Sequence, residues 1–364
     1  MLTALSSQLY PASMSSIGSP NLSICALIAT YGRVELLHKM LVSFSESLRF
    51  LRSHKDFQNI QFSLKICVNG EDPDSLKYLQ DFKKQAGFPV SILPLERKLT
   101  PAEARNKLLL ECKSDWIVFL DDDILLSTRF LQTLASLIGA HPLVDVWGGP
   151  NVTDPESQRF QLENGWLLSQ ALVTGPVSQR YKYSGPSLQP GRQYNLMLCN
   201  LAVRRSCLQG LLFKPVFKTA EENEILYRLK ANGARMMASD LLFVYHERRM
   251  NHRHFLKQIF FYGYGRGQLF VEYSVWQQGL FFLFPILFAV ACLYALVEPQ
   301  VLLVYGVLAG SYLDLKYFIA FRRMSFLVFA APLLVPTLYF AGIMSSLAKS
   351  TQLRFLHLVT NSRA

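Results

Sequence analysis

Three consecutive aspartates, Asp121, Asp122 and Asp123, directly follow an uninterrupted apolar run at residues 116–120. The run is short and rich in branched and aromatic residues, which predicts a strand buried on both faces. Side chains alternate along a strand, so Asp121 and Asp123 are expected to share a side that Asp122 does not. Crowded carboxylates repel unless a cation neutralises them, and oxygen ligands at an open site suit Mg²⁺ or Mn²⁺ holding a substrate's phosphates. The competing interpretation is a surface turn that caps the segment 124–137.

Strands alternate with helices through the first third of the chain. Strands are predicted at 22–29, 61–68, 90–93, 116–120, 199–203 and 241–245, and helices at 34–50, 74–86, 101–112 and 221–232, the last capped by Gly233. This alternation predicts an α/β domain with a mainly parallel sheet, whose ligands bind beyond the carboxyl ends of the strands. Polar side chains at 30–31, 69–71 and 121–123 follow such ends and are expected to converge. Residues 148–190, rich in glycine and proline, are expected to be loops with little regular structure.

The C-terminal third is apolar enough to suggest membrane segments. Hydrophobic residues make up 51% of the chain, and mean hydropathy is +0.19. Residues 279–297 are uncharged and long enough to cross a bilayer core. Residues 301–320 and 325–348 are two further candidates, the former interrupted by two charges and the latter by two prolines. A re-entrant or interfacial segment is the alternative for one of these two.

The formal charge of +11 is concentrated beside these apolar segments, at 248–266 and at Arg322 and Arg323. Basic residues that flank spans on one side predict a cytosolic face for both clusters. Residues 1–20 lack the basic and apolar regions of a secretory signal, so the chain up to about Gln278 is expected to stay in the cytosol. We therefore expect a multi-pass protein of the cell inner membrane. Nucleic acid is not an expected partner, because the charge abuts apolar segments and no nucleic-acid motif is present.

In their order along residues 24–268, the motifs resemble those of the inverting glycosyltransferases of family 2, which have the GT-A fold. The matching residues are Thr30-Tyr31-Gly32-Arg33, Ala104-Arg105-Asn106, Asp121 to Asp123 as a D-x-D, Asn200 with Arg204-Arg205, Glu221-Glu222-Asn223-Glu224, and His246. The resemblance implies a GT-A (nucleotide-diphospho-sugar transferase, Rossmann-like) domain followed by C-terminal transmembrane helices. The family's acidic base-reading residue has no match after the second strand, so that contact is expected from Asn69, Glu71 or Asp72.

The resemblance also implies roles for single side chains. Glu222, which stands where the family has a catalytic Asp, is the expected general base for the acceptor hydroxyl. Asp123, helped by His246, is expected to hold Mg²⁺ or Mn²⁺ as a Lewis acid for the leaving diphosphate. Contacts to the nucleotide-sugar donor, UDP- or GDP-linked, are expected from Thr30, Tyr31, Arg33, Asn69, Glu71, Arg105, Asp121 and Arg204.

The expected domain order is a disordered tail (1–20), a GT-A catalytic domain (21–247), a basic amphipathic juxtamembrane segment (248–277), a transmembrane region of two to three spans (278–348) and a tail (349–364). The juxtamembrane segment is expected to border an acceptor site or to rest on anionic headgroups. The expected activity is transfer of a sugar to a glycan or lipid-linked acceptor, in cell-surface polysaccharide synthesis. The alternatives are a polyprenyl-phosphate sugar synthase and a catalytically silent membrane adaptor with the same fold.

Overall fold

The computed structural model describes residues 22–217, 219–248, 250–273 and 280–361, with side chains described except at 280–286 and 353–361. The predicted disordered tail, 1–20, lies outside these residues. The chain divides into two compact units. The first unit comprises the chain up to Asp154, Gln179–Pro215 and Ile225–Glu247, and the second comprises Pro155–Ser178, Val216–Glu224 and the chain from Arg248 onward. The second unit thus includes two segments that the sequence assigns to the catalytic domain.

The described residues form eleven strands and eleven α-helices. The strands are β1 (Ser23–Thr30), β2 (Gln61–Asn69), β3 (Val90–Leu95), β4 (Trp116–Asp121), β5 (Ile124–Leu126), β6 (Val146–Gly148), β7 (Asn151–Val152), β8 (Leu188–Pro190), β9 (Asn200–Arg204), β10 (Met236–Ser239) and β11 (Val244–His246). The helices are α1 (Val34–Arg52), α2 (Pro73–Gln85), α3 (Pro101–Leu110), α4 (Phe130–Ala140), α5 (Arg159–Leu168), α6 (Ala171–Thr174), α7 (Glu221–Ala231), α8 (His252–Glu272), α9 (Leu280–Ala295), α10 (Pro299–Phe321) and α11 (Phe326–Asn361).

An eight-stranded mixed sheet, in the order β3-β2-β1-β4-β9-β6-β10-β8, forms the centre of the first unit. Strands β3, β2, β1 and β4 are parallel, whereas β9 runs antiparallel to both β4 and β6. A small second sheet has the order β5-β11-β7. The α/β fold class is confirmed, and the sheet is mixed but mainly parallel, because β6 and β10 run in the same direction as β1 and only β9 and β8 run against it. Because β1 aligns Thr30 with Val68 and Ala29 with Asp121, the carboxyl ends of β2, β1 and β4 lie side by side.

Helices cover both faces of this sheet, as the continuous apolar strands require. On β1, Ile24, Ala26 and Ile28 pack in a core with α1 and α4. Cys25 and Leu27 point to the other face and pack with α3 and α7. Full burial of an Ile or Leu side chain contributes roughly 1.5–3 kcal/mol, so alternation along one strand fixes the register of both layers.

Helix α7 ends where the sequence predicts. Gly233 adopts a φ of +85°, a left-handed conformation that suits glycine. The amide of Gly233 donates to the carbonyl of Lys230, and the amide of Ala234 donates to that of Leu229. These two hydrogen bonds form a Schellman motif, which confirms Gly233 as the C-cap.

Residues 148–190 contain more regular structure than their glycines and prolines predict. Helix α5 begins at a capping box in which the side chains and amides of Gln158 and Gln161 satisfy each other. The expectation of loops is therefore wrong for α5 and α6. The glycines and prolines that prompted it lie outside α5, except Gly165, so they bound the helix rather than break it.

In the second unit, α8 and α11 touch backbone to backbone. A Cβ added at Gly263 would lie 1.9 Å from the carbonyl oxygen of Tyr339, and one at Gly342 would lie 2.0 Å from that of Phe260. Small residues four apart, such as Gly263 and Gly267, allow helices to approach this closely. Helix α8 therefore packs one face on α11, and its expected position at the membrane surface stays a prediction.

Two helices are long and apolar enough to cross a membrane, Pro299–Phe321 and Phe326–Gln352, among the residues that the structure describes. Core helices of soluble proteins can share this length and composition, so the finding is weak evidence for spans. Helix α11 continues through both of its prolines, Pro332 and Pro336. The first predicted span forms α9, which has 16 residues, and residue 279 and the side chains of 280–286 lie outside the described part.

Buried polar side chains hold the start of α11. The carboxylate of Asp314, in α10, accepts a hydrogen bond from the amide of Ser325 at 2.8 Å. The hydroxyl of Ser325 donates to Glu163 of α5, which is 1% exposed and lies 3.5 Å from Nε2 of His252. A carboxylate at a helix N-terminus is favoured by the helix dipole, which explains the acidic residue of α10 beside the start of α11.

Candidate active site

The three aspartates lie where β4 turns back into β5. Strand β4 ends at Asp121, Asp122 and Asp123 form the turn, and β5 begins at Ile124. Strand alternation therefore does not by itself decide which carboxylates converge, because two of the three aspartates lie outside the strand. Which carboxylates converge depends on the conformation of the turn and on its contacts with β11 and with the end of β1.

A possible metal site forms at this turn. Strand β11 pairs with β5 so that His246 faces Ile124, and the amide of Glu247 donates to the carbonyl of Asp123 at 2.9 Å. This register brings one ligand atom each of Asp121, Asp123 and His246 within 4.8 Å of one another, the only such group of three among the described residues. Nδ1 of His246 lies 2.9 Å from the carbonyl oxygen of Glu247, which leaves Nε2, 3.6 Å from Oδ1 of Asp123, as a ligand atom. Two carboxylates and one imidazole fit a divalent cation.

Asp122 ties the turn to the end of β1. Its carboxylate is fully buried and accepts a hydrogen bond from the hydroxyl of Thr30 at 2.7 Å. Arg33 lies 2.5 Å from its other oxygen. Burial raises the pKa of Asp122 to about 7, although Arg33 and the Thr30 hydroxyl act in the opposite direction. Thr30 therefore has a structural contact in addition to its predicted role at the donor.

Two arginines neutralise the carboxylates in this structure. Arg33 bridges Asp122 and Asp123, with the second contact at 2.7 Å, and Arg105 donates to Asp121 at 2.9 Å. Desolvation lowers the pKa of Arg33, but the carboxylates of Asp123 and Asp122 outweigh that effect and raise it. The structure thus brings Arg33 to the predicted metal ligand Asp123, and Arg105 to Asp121, a predicted donor contact.

The other predicted donor residues lie at the ends of β1 and β2. The ring of Tyr31 is 40% exposed, and Nζ of Lys98 lies 3.6 Å from its centroid. The side-chain amide of Asn69 donates to the carbonyl of Leu99 at 3.0 Å and accepts from the Leu99 amide at 2.8 Å. Asn69 therefore holds the loop that follows β3, and Glu71 is the exposed acid at this position. Lys98, which the sequence does not single out, also follows a strand end at this edge of the sheet.

Asp72, the third candidate for base contact, has a structural task. It caps α2 by accepting from the amide of Ser75 at 3.2 Å, and it accepts from the amide of Gly32 at 2.5 Å. Desolvation opposes these hydrogen bonds, which nevertheless lower the pKa of Asp72. Gly32 has a φ of +64°, so the turn after β1 suits glycine, and Asp72 fixes that turn to α2.

Arg204 lies away from the acid cluster, which corrects its predicted position. Because β9 is antiparallel to β4, Asn200 pairs with Leu120 beside the aspartates, whereas Arg204 pairs with Trp116 at the far end. Four residues of strand, roughly 13 Å, separate the two positions. Arg204 forms an ion pair with Asp145 at 3.1 Å. At this position Arg204 contacts Asp145 rather than the acid cluster, so we do not assign it to the donor.

Glu222, the predicted base, lies in the first turn of α7, together with Glu221 and Glu224. Carboxylates in a first turn are favoured by the helix dipole, so this position alone does not imply catalysis. This turn belongs to the second unit, whereas the acid cluster belongs to the first. The catalytic role of Glu222 stays a prediction.

The mixed sheet, with an acid cluster beyond the carboxyl ends of its central strands, has the arrangement expected of a GT-A fold. The family model described as Glycosyl transferase family 2 matches residues 25–211, just over half of the chain. The chain belongs to glycosyl transferase family 2. No curated protein sequence matches it.

Solved structures with similar folds include the mannosyltransferase PcManGT from Pyrobaculum calidifontis in complex with GDP-Man and Mn²⁺. It is 14% identical, the match covers 89% of this chain and 86% of that one, and the TM-score is 0.55. S. aureus TarS is 13% identical over 68% of this chain and 44% of that one, so the chain spans less than half of TarS, with a TM-score of 0.47. TarS 1–349 in complex with UDP-GlcNAc is 13% identical over 67% and 66%, with a TM-score of 0.47. At these identities, the likeness to PcManGT establishes the fold alone.

Proposed function

We propose that the chain is a membrane-anchored inverting glycosyltransferase that moves a sugar from a nucleotide-diphosphate donor to a glycan or lipid-linked acceptor. The main observation behind the proposal is the grouping of Asp121, Asp123 and His246 within 4.8 Å, in a chain of glycosyl transferase family 2. Such a group next to exposed basic and aromatic side chains suits a diphosphate attached to a base and a sugar. Cell-surface polysaccharide synthesis is the process we expect it to serve.

Each side chain has a distinct task in this proposal. Asp123 and His246 would hold Mg²⁺ or Mn²⁺, which would supply positive charge to the leaving diphosphate. Asp121 contacts the donor's ribose or sugar and is itself oriented by Arg105. Glu222 takes the proton of the acceptor hydroxyl as that oxygen attacks, and attack opposite the leaving group inverts the anomeric centre.

The nucleotide lies against the edge formed by Tyr31, Lys98 and Glu71. Tyr31 offers an exposed ring on which a base can stack, and Lys98 and Glu71 offer hydrogen-bonding groups of opposite charge. Arg33 keeps Asp122 and Asp123 in place between turnovers. Neither UDP nor GDP is favoured by these contacts alone.

The membrane part of the proposal is supported by α10 and α11, which are long and apolar enough to span. Arg322 and Arg323 lie in the turn between them, and basic residues favour the cytosolic side. Nucleotide sugars are made in the cytosol, so the same side suits the donor site. We therefore propose a multi-pass protein of the cell inner membrane with its first unit in the cytosol.

The test is donor turnover by the purified protein in detergent. UDP-GlcNAc, GDP-Man and other labelled nucleotide sugars are supplied with membrane lipid extract, in Mn²⁺, in Mg²⁺ or in EDTA. Because GDP-Man and Mn²⁺ are bound in PcManGT, that pair is tried first. Release of nucleoside diphosphate and the label in lipid and glycan fractions are measured. Loss of an outer partner of a metal ligand costs about 10–100-fold, so Asp123→Asn is expected to lose at least about 100-fold.

Asp81→Asn is the matched control, because it neutralises an exposed aspartate whose recorded contact is with Lys84. Full turnover in excess EDTA contradicts the metal role. Label that appears only on a lipid phosphate identifies the polyprenyl-phosphate synthase alternative. Donor binding without turnover of any donor identifies the silent adaptor and ends the proposal of an enzyme.

A further inference from the structure

The segment that carries the proposed base belongs to the second unit. Val216–Glu224 groups with α8 and α11, although Gln179–Pro215 before it and Ile225–Glu247 after it belong to the first unit. We call Val216–Glu224 the base segment. Helix α7 therefore has its first turn in one unit and its remaining turns in the other.

The base segment is docked on α8 by side-chain and backbone contacts along its length. Nε2 of Gln268 donates to the carbonyl of Val216 at 2.8 Å, and the hydroxyl of Thr219 donates to the carbonyl of Phe261 at 2.9 Å. A Cβ added at Gly265 would lie 2.6 Å from the Thr219 hydroxyl, so α8 approaches the segment as closely as glycine allows. Phe217 and Ala220 of the segment also pack with Leu269 and Tyr273 in a small apolar core.

One further contact joins α8 to the first turn of α7, which carries Glu222. Tyr273, at the end of α8, donates its hydroxyl to Oε1 of Glu224 at 2.5 Å. Glu224 is fully buried, and it lies two residues after Glu222 in the first turn of α7. A hydrogen bond to a buried carboxylate is about twice as strong as one between neutral groups, so this contact can fix the orientation of the turn.

Helix α8 is in turn fixed to α11. The backbone contact at Gly263 and Tyr339 leaves no room for α8 to slide or rotate without separating the two helices. Contacts therefore run without interruption from α11, an apolar helix, through α8 to Glu224. Each of these contacts lies within the second unit.

We propose that Tyr273 is a positioning residue, which acts through Glu224 to orient Glu222 toward the acceptor hydroxyl. The inference rests on the proposed role of Glu222 as the general base. Tyr273 itself touches neither substrate nor metal in this scheme. It makes the geometry of the base depend on the helices proposed to lie at the membrane.

The test compares kcat with the donor KM for Tyr273→Phe, which removes the hydroxyl and keeps the ring in the apolar core. A misplacement of 1 Å can cost about 100-fold, so we expect kcat to fall on the order of 10-fold or more. The donor KM is expected to stay unchanged, because the donor contacts belong to the first unit. Tyr312→Phe, which makes the same change on α10, is the matched control and should behave as wild type.

Two variants of Glu224 separate positioning from general damage. Glu224→Gln keeps an oxygen that can accept from Tyr273 and should retain most of kcat, whereas Glu224→Leu should resemble Tyr273→Phe. Thermal melting of every variant shows whether it is folded. The inference is overturned if kcat falls in proportion to the melting temperature of each variant, whether or not residue 224 keeps an oxygen that can accept from Tyr273.

A double-mutant cycle with Glu222→Gln is the decisive step. If Tyr273 acts through the base, Tyr273→Phe costs little in the background of Glu222→Gln. If the two losses multiply, Tyr273 does not act through Glu222. Wild type that transfers no sugar ends the proposed function and this inference together, whereas active wild type with an unchanged kcat in Tyr273→Phe ends the inference alone.

Discussion

Gly263→Ala is predicted to destabilise the second unit, even though the same change usually stabilises a helix. The added Cβ would lie 1.9 Å from the carbonyl oxygen of Tyr339, and real Cβ atoms do not approach below 3.0 Å. Helices α8 and α11 must therefore separate locally by at least 1.1 Å, the difference between these distances. The obstacle is backbone, so no side chain can rotate out of the way.

Two effects of opposite sign decide how much Gly263→Ala changes the free energy of unfolding. Alanine is favoured over glycine in a helix interior by roughly 1 kcal/mol. Overpacking of a well-filled contact costs typically 1–3 kcal/mol, and occasionally more. A shift of more than 1 Å along two packed helices belongs at the upper end of that range. We therefore expect a net loss of about 1–2 kcal/mol, and a larger loss for Gly263→Leu.

The measurement is thermal unfolding of the purified protein in detergent, with Gly306→Ala as the matched control. A Cβ at Gly306, on α10, would meet only the end of the Leu333 side chain, at 2.5 Å. Leu333 can rotate, so Gly306→Ala is expected to be neutral or slightly stabilising. Equal melting temperatures for the two variants would refute the argument, because backbone and side-chain obstacles would then be equivalent.

Three further predictions follow from particular contacts. Arg204→Ala should leave the donor KM unchanged in steady-state kinetics, because Arg204 pairs with Trp116 at the end of β4 that lies away from the site. It should lower the free energy of unfolding by about 1 kcal/mol in thermal melting, because the ion pair with Asp145 is lost. Asp115 accepts from the hydroxyl and amide of Ser23, which lowers its pKa below the usual 3.8, so its contribution to stability is present above that value and is lost as pH falls further. In Asp115→Asn, the free energy of unfolding should therefore fall less steeply with decreasing pH below about pH 4, as followed by circular dichroism. For topology, an impermeant thiol reagent applied to intact cells should label a cysteine placed at Gln300 but not one at Glu35, and labelling at Glu35 would reverse the proposed orientation.

The sequence predicts the convergence of the site because parallel strands impose it. Strand ends at Thr30, Asn69 and Asp121 meet at one edge whatever the side chains beyond them do. His246 comes to the same place through the pairing of β11 with β5, two three-residue strands. Periodicity cannot identify strands that short, so only the family resemblance points to His246.

The errors have equally specific causes. Arg204 was misplaced because the direction of β9 is not visible in its residues, and an antiparallel strand carries its last residue away from the site. Asn69, a predicted base contact, also holds the backbone of Leu99 through both its amide nitrogen and its amide oxygen. Loop contacts between distant residues of this kind leave no local pattern. The assignment of Val216–Glu224 to the second unit is also a matter of tertiary contacts, since nothing in its own sequence announces α8 as its partner.

The charges around the turn are consistent with the proposal that one site holds both a metal and a diphosphate. Asp121, Asp122 and Asp123 bring three negative charges, and Arg33 and Arg105 bring two positive ones, so the group has one net negative charge when Asp122 is ionised. That net charge attracts a divalent cation, and the bound cation makes the sum positive by one. A positive sum then attracts a diphosphate, whereas without the arginines the group would remain negative even with the cation bound. We therefore expect the arginines to favour donor binding through their charge, whether or not they touch the donor.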